Sequence, residues 1–362
     1  MVYPIIPLFV TGVLKAPVAY LGIIEGAAES LVSIMKGASG FWSDATGKRA
    51  SLVAWGYVIS NSAKPLLGLS TIWYGALGAR LLDRFGKGVR TTARDAMIAD
   101  AAEPEEYGRA FGFHRAMDTA GALIGVLLVY FLITLSNISF RNIFLLSGIP
   151  GFIAVLLVMT IKDKERPRTP KAESKPALPK LELPPEYWRA LSLCALFAVA
   201  NSSDALILLR ANKVGLSFAN VILAYACYNV TYMVGSSPFA KLSDRIGRWW
   251  LIGIGWFVFA ISYAGLAFTN DHWIWLLFPL YGVYMALTDG VSKALIADAS
   301  PKDAKGRAMG LFYMVTGFGT LAASTFGGWL WDAKGQAAPF IFSAAVAMLS
   351  VVLIPVTRPL AR

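Results

Sequence analysis

Apolar positions in this chain arrive in long, nearly unbroken runs, without the alternation of a half-buried strand or the narrow stripe of a soluble helix. Such runs recur from end to end of the 362 residues, and all after the first are long enough to cross a hydrocarbon core of about 30 Å. An apolar start over 1–13 is followed by spans at 18–42, 50–69, 79–100, 108–135 and 140–161. The stretch KDKERPRTPKAESKPALPKLELPPE, 162–186, then breaks the pattern. It is charged and proline-rich, buries no core, and reads as an exposed linker. Six more spans follow at 187–209, 217–242, 249–268, 272–298, 305–331 and 336–356. The expectation is an all-α integral membrane protein of twelve spans: a six-helix bundle over 1–161, a linker at 162–186, and a second six-helix bundle over 187–362.

One span breaks the hydropathy rule. ARLLDRFGKGVRTTARDAMIAD, 79–100, carries Arg80, Asp83, Arg84, Lys87, Arg90, Arg94 and Asp95. A charge at mid-bilayer costs about 2.5–3.5 kcal/mol on insertion scales, so a helix carrying several needs a reason. At helical spacing all seven fall within an arc of roughly 140°. One charged face on a membrane helix must meet a watery cavity or other charges. On that face basic residues outnumber acids, which favours an anionic solute in a low-dielectric cavity. Pairing of Asp83 and Asp95 with neighbouring arginines remains the structural alternative.

The two halves repeat each other. AMIADAAEPEEYGRAFGF, 96–113, lies over ALIADASPKDAKGRAMGL, 294–311, without a gap and with half the positions identical. Ser43, Asp44, Gly47 and Lys48 likewise lie over Ser243, Asp244, Gly247 and Arg248. Paired six-helix repeats joined by a long loop are a transporter arrangement, with the solute site between the halves near the midplane. The repeat also supplies a control: Met285, Thr288 and Ser292 stand at the positions of Lys87, Arg90 and Arg94. The same element is therefore built without these charges in the second half. By the same offset, about half of the first helix is expected to be missing at the amino end.

Composition changes the picture little. The chain is 56% hydrophobic and 15% charged, with a net charge of +11. In a soluble protein that charge would suggest nucleic acid. Here basic residues cluster in alternate loops, at Lys48–Arg49, the linker, Arg245–Arg248, Lys302–Arg307 and the tail. The expectation is a multi-pass protein of the cell inner (plasma) membrane with a cytoplasmic linker and C-terminus, and no nucleic-acid partner. No basic leader precedes the first apolar run, so no signal peptide is expected. Cys194 and Cys227 fall in apolar spans and are expected to be free thiols.

GFWSDATGKR, 40–49, and its second copy AKLSDRIGRW, 240–249, resemble the loop motif of the major facilitator superfamily, Gly-x3-Asp-(Arg/Lys)-x-Gly-(Arg/Lys)-(Arg/Lys). Ala45, Ala240 and Trp249 depart from it. DRFGKGVRTTARDAMIAD together with NSSDALILLRA, 201–211, resembles an uncharacterised prokaryotic branch of that superfamily. The resemblance implies a major facilitator-type fold of two pseudo-symmetric six-helix bundles working by alternating access. In that fold the first, fourth, seventh and tenth helices line the cavity. Arg84 and Gly88 match the superfamily's fourth-helix motif, whereas Lys87 replaces its usual glutamine. Export antiporters of the superfamily tend to carry Gly-Pro in the fifth helix; here Gly125 is followed by Val126.

These readings assign Arg84, Lys87, Arg90, Arg94 and Asp204 to solute binding, with Asp204 expected to neutralise the fourth helix across the cavity. Glu25, Glu29, Asp83 and Asp118 are the proton-coupling candidates. Glu25 and Glu29 share one face of the second helix and are equally suited to pairing with the arginines or to carrying protons. Asp289 and Lys293, one turn apart, are expected to pair. Asp44, Gly47, Lys48, Asp100, Arg109, Asp244, Arg248, Asp298 and Arg307 recur in both halves, which suits a symmetric gate of the kind the resembled loop implies.

The expected function is secondary active transport of a small, anionic organic solute coupled to protons, by a monomer with no cofactor and no metal. No GxxxxGK(S/T) motif supports ATP drive, and no HExxH or GxSxG motif supports an intramembrane enzyme. Proton-driven efflux of drugs or metabolites is the alternative within transport. A transporter-derived sensor or scaffold, or an intramembrane enzyme using Glu25, Glu29 or His114, is the alternative outside it.

Overall fold

In the computed structural model, described over residues 2–46, 49–101, 107–136, 138–161, 183–270, 272–300 and 305–357, no strand occurs. The helices in chain order are α1 (Tyr3–Val13), α2 (Val18–Thr46), α3 (Arg49–Leu69), α4 (Trp73–Ala101), α5 (Tyr107–Ser136) and α6 (Phe140–Met159). The second half continues with α7 (Pro185–Lys213), α8 (Phe218–Ile246), α9 (Arg248–Phe268), α10 (Ile274–Asp298), α11 (Lys305–Lys334) and α12 (Ala338–Thr357). The expected helical architecture is therefore present. Residues 162–182 of the expected linker lie outside the described residues.

Stretches in α2, α6, α7, α9, α10, α11 and α12 are long and apolar enough to cross a membrane. α3, α4 and α8 reach comparable length with more polar sequences, and α5 carries an apolar stretch over Ala120–Ser136. Phe152, Leu156 and Leu157 of α6, Phe131 of α5 and Val352 of α12 are exposed. A water-soluble surface does not spread large apolar side chains this way, whereas a lipid-facing one does.

Two helices differ from the unbroken spans read in the sequence. α6 bends at Ser147, whose hydroxyl bonds back to the Phe144 carbonyl at 2.7 Å. α7 is broken outright. Its first segment, Pro185–Ala200, ends where Asn201 leaves helical geometry (φ −86°, ψ 76°). The second, Ala205–Lys213, begins after Asp204. Asn, Ser and Asp side chains compete for backbone hydrogen bonds and favour such interruptions. The freed groups are satisfied locally: Ser203 N–H donates to Ser324 Oγ at 2.9 Å, and Ala205 N–H donates to Ser203 Oγ at 3.3 Å. Non-helical backbone at membrane depth persists only where it is buried in protein or lines a cavity.

Within the first half α4 packs against both α2 and α3, and in the second half α10 packs against α8 and α9. Glycine makes the first set tight. A side chain at Gly88 would collide with Cβ of Met35, and one at Gly86 would meet the Gly56 carbonyl oxygen at 2.6 Å. The halves meet along α2 against α11 and α5 against α8, with α1 touching the second segment of α7. At the far end from the linker, Asp332 of α11 accepts the N–H groups of Val18 and Ala19, at 3.2 and 2.8 Å. A carboxylate of one half thus caps the N-terminus of α2 in the other, where helix-end charge favours an anion.

Candidate solute cavity between the two halves

Away from that capped end, a cavity of about 610 Å³ opens between the halves. Its first-half wall comes from Tyr3 of α1, Glu29, Ser33 and Lys36 of α2, and Arg84 and Lys87 of α4. Its second-half wall includes the α7 break from Asn201 to Asp204, with Tyr225, Tyr281, Tyr284, Asp289 and Lys293. Residues of α1, α4, α7 and α10 line it together, as the sequence reading expected.

The α4 face divides by angle. Arg84 and Lys87 reach the cavity. Arg80 lies on the same side but is capped by protein: its guanidinium sits 5.7 Å from the Tyr3 ring centre. It makes a two-pronged contact with Glu25, Nε–Oε1 at 2.8 Å and Nη2–Oε2 at 2.7 Å. Both partners are buried. Asp83 turns to α3, where Ser60 Oγ donates to it at 2.6 Å, and Arg80 Nη1 approaches it at 3.3 Å. Glu25 and Asp83 therefore lie behind the cavity wall, tied to Arg80.

Two expected solute contacts lie elsewhere. Arg90 stands at the edge of the α4 arc, about 120° from Arg84 at 100° per residue. Its guanidinium rests over the Tyr57 ring of α3, 4.1 Å from its centre. Arg94, further along the helix, pairs with its neighbour Asp95 at 2.8 Å. Neither lines the cavity, and Asp118 is exposed on α5 away from it. The charged face is one stripe by sequence angle, but α2 and α3 cover its flanks.

Arg84 pairs with Glu29 at 3.2 Å, and Glu29 keeps 40% of its side chain exposed. Arg84 Nε is buried with no hydrogen-bond acceptor, Asp83 Oδ2 standing 3.9 Å away. Lys36 lies 5.4 Å from the Tyr313 ring centre. Among the described residues no carboxylate comes within ion-pairing distance of Lys36 or Lys87.

On the opposite wall the expected neutralisation of α4 by Asp204 is not made. Asp204 instead accepts the Tyr281 hydroxyl at 2.8 Å. The reason is the α7 break, which directs this carboxylate towards the tyrosines of its own half. Asp289 and Lys293 do pair, at 2.7 Å, and Tyr232 also donates to Asp289 at 2.8 Å. The tyrosine group on α8, α9 and α10 was not singled out in the sequence, where each ring reads as one more apolar residue. Tyr225, Tyr228 and Tyr281 follow one another at ring-centre distances of 5.3 Å.

Of the gating candidates, Arg248 and Asp298 pair at 2.7 Å, joining α9 to α10. Gly47 and Lys48, and the side chains of Asp44, Asp100, Arg109, Asp244 and Arg307, lie outside the described residues.

The Major Facilitator Superfamily sequence profile matches residues 1–221 and 190–362. An uncharacterised MFS-type transporter of Methanocaldococcus jannaschii is 35% identical over 361 residues, 98% of this chain and 89% of the relative. Among solved structures, a nucleoside transporter superposes with a TM-score of 0.80 at 12% identity, covering 98% of this chain and 94% of its own. A D-xylose–proton symporter does so with a TM-score of 0.74 at 16% identity, covering 98% and 92%. At such identities these two structures speak for the fold alone. Motif, internal repeat, cavity and relatives agree: the chain belongs to the major facilitator superfamily, and is a multi-pass membrane transporter of small molecules.

Proposed function

We propose that this transporter moves a small organic anion together with protons, by rocking of its two halves about the central cavity. The observation that carries the reading is the first-half wall. Arg84, Lys87 and Lys36 line it with Glu29 as the one acidic residue. Unmatched positive charge in a cavity with low-dielectric walls draws and holds anions. Arg84 is the natural contact for a carboxylate, because it lines the cavity and its planar fork donates to two oxygens at once.

Glu29 supplies the proposed coupling. It reaches the cavity and holds Arg84 at 3.2 Å. An anion and the Glu29 carboxylate compete for one guanidinium. Protonating Glu29 releases Arg84 to the solute, so proton and anion load together. Orientation follows from the basic linker, which belongs on the cytoplasmic side. The cavity then faces the cytoplasm, and the Asp332 cap closes the outer end.

Reconstituted protein with an imposed pH gradient tests this. Inward-acid vesicles should change the direction of net anion flux, and Glu29→Gln should retain exchange of labelled anion while losing accumulation. Accumulation by Glu29→Gln at the native level would sink the coupling role. Transport of organic cations in preference to anions would sink the solute class.

A further inference from the structure

The wall facing Lys36 and Lys87 is not a neutral backdrop. Three carboxylates line the cavity, and two are already matched: Glu29 by Arg84 at 3.2 Å and Asp289 by Lys293 at 2.7 Å. The third, Asp204, has no cationic side chain within ion-pairing distance among the described residues. Its place in the chain makes this more informative. Asp204 stands at the N-cap of the second α7 segment, where an aspartate normally accepts a backbone N–H of the first turn. Its side chain makes no such bond. Ser203 takes the N–H of Ala205 instead, leaving Asp204 free for the tyrosine side.

Around Asp204 the cavity wall is built of tyrosines. Tyr281 donates its hydroxyl to one carboxylate oxygen at 2.8 Å, and Tyr225 lines the same wall beside it. A carboxylate among electron-rich rings is a site for an ammonium group, which gains both Coulomb attraction and cation–π contact. Burying such a carboxylate without a cation is costly.

We infer that the solute is a zwitterion, with an anionic group held by Arg84, Lys87 and Lys36 and an ammonium group held by Asp204 against Tyr281 and Tyr225. This rests on the anion reading above and adds a second, opposite charge at the far wall. Such a solute spans the two halves, one charge on each. It therefore draws them together, whereas a simple anion ties only to the first.

Calorimetric titration of the purified full chain in lipid nanodiscs tests this with probes of common skeleton and different charge. These are 4-aminobutyrate, 6-aminohexanoate and 8-aminooctanoate, each beside the alkanoate and the alkylamine of the same length. The best-fitting amino acid is expected to bind at least tenfold tighter than its alkanoate. Asp204→Asn should abolish the advantage of that amino acid over its alkanoate. Lys87→Gln should weaken both. The wild-type series decides the matter even if Asp204→Asn does not fold. Equal binding of amino acid and alkanoate would overturn the zwitterion and leave the anion reading standing. Tightest binding of the alkylamine, or no binding by any probe, would overturn both.

Discussion

α2 and α4 in the first half hold the places that α8 and α10 hold in the second, yet the two pairs bury polar groups by opposite means. Carrying the repeat's register through, Glu25 stands where Tyr225 does, Asp83 where Tyr281 does, and Arg84 where Gly282 does. The first half uses full charges that cancel one another: Glu25 with Arg80, Asp83 with Arg80 and Ser60. The second uses phenols, which bury a ring and offer one hydroxyl. Ion pairs in low dielectric fix geometry strongly but lose heavily when one member goes. Phenols tolerate change more cheaply and leave a neighbouring carboxylate unmatched. The first half therefore reads as a rigid charged frame, the second as a receptive surface.

The comparison is most easily broken at Glu25. Glu25→Gln removes the buried charge that Arg80 grips with two nitrogens and should cost about 3–5 kcal/mol. Tyr225→Phe, the equivalent change, should cost about 0.5–1.5 kcal/mol. Thermal unfolding in detergent compares them, and similar losses would erase the distinction. If Glu25→Met with Arg80→Met recovers most of the loss, the cost lies in the stranded charge and not in the vacated space.

Next in size is the α2–α4 contact. Gly88→Val places side-chain atoms against Cβ of Met35, and overpacking of this kind costs about 1–3 kcal/mol. The same substitution at Gly290 of α10, where a Cβ meets nothing, should be near neutral. Equal effects at both sites would mean that the loss at Gly88 does not come from the contact with Met35.

Lys87→Met makes α4 resemble α10, which has Met285 at that position. Anion binding should fall about tenfold, equivalent to about 1.4 kcal/mol, with folding intact by circular dichroism. Unchanged binding would remove Lys87 from the site. Smallest is the contact that joins the halves at the far end. Asp332→Asn keeps the shape and removes the charge at the α2 N-terminus, weakening closure by about 0.3–1 kcal/mol. Alkylation of Thr11→Cys, placed beside this contact, should rise a few-fold, and an unchanged rate would show that Asp332 does not hold this end shut.

Much of this was legible in the residues. Hydropathy runs gave the helices because a bilayer enforces length and apolarity together. The polar run Asn201, Ser202, Ser203 and Asp204 stands out in the apolar span 187–209, but hydropathy alone reads that span as continuous and does not turn the run into a break. Arg84 and Lys87 were separable from the second half by the repeat alone. What the sequence lacked was rotation and company. The α4 arc is too broad to say which charges face water, and the turn of the helix that hides Arg90 over Tyr57 depends on where α3 lies. Asp204 was identifiable as a cavity residue, but its preference for Tyr281 over the arginines follows from the α7 break. The tyrosines carried no signal of their own, since a ring facing a cavity and a ring facing a core have the same hydropathy.

The break in α7 has a mechanical consequence. A continuous helix transmits a push at one end as displacement of the other. Two segments joined at Asn201 to Asp204 behave as rods meeting at a pivot, and the pivot sits in the cavity wall beside the residue with the unmatched charge. Load on Asp204 is thus applied at the joint, where a small force changes an angle without straining either rod. Ser203 adds the transmission, since its N–H is tied to Ser324 of α11 and its hydroxyl lies 3.2 Å from Tyr3 of α1. The first part to register an arriving solute would be the angle between these segments, before either bundle moves as a whole.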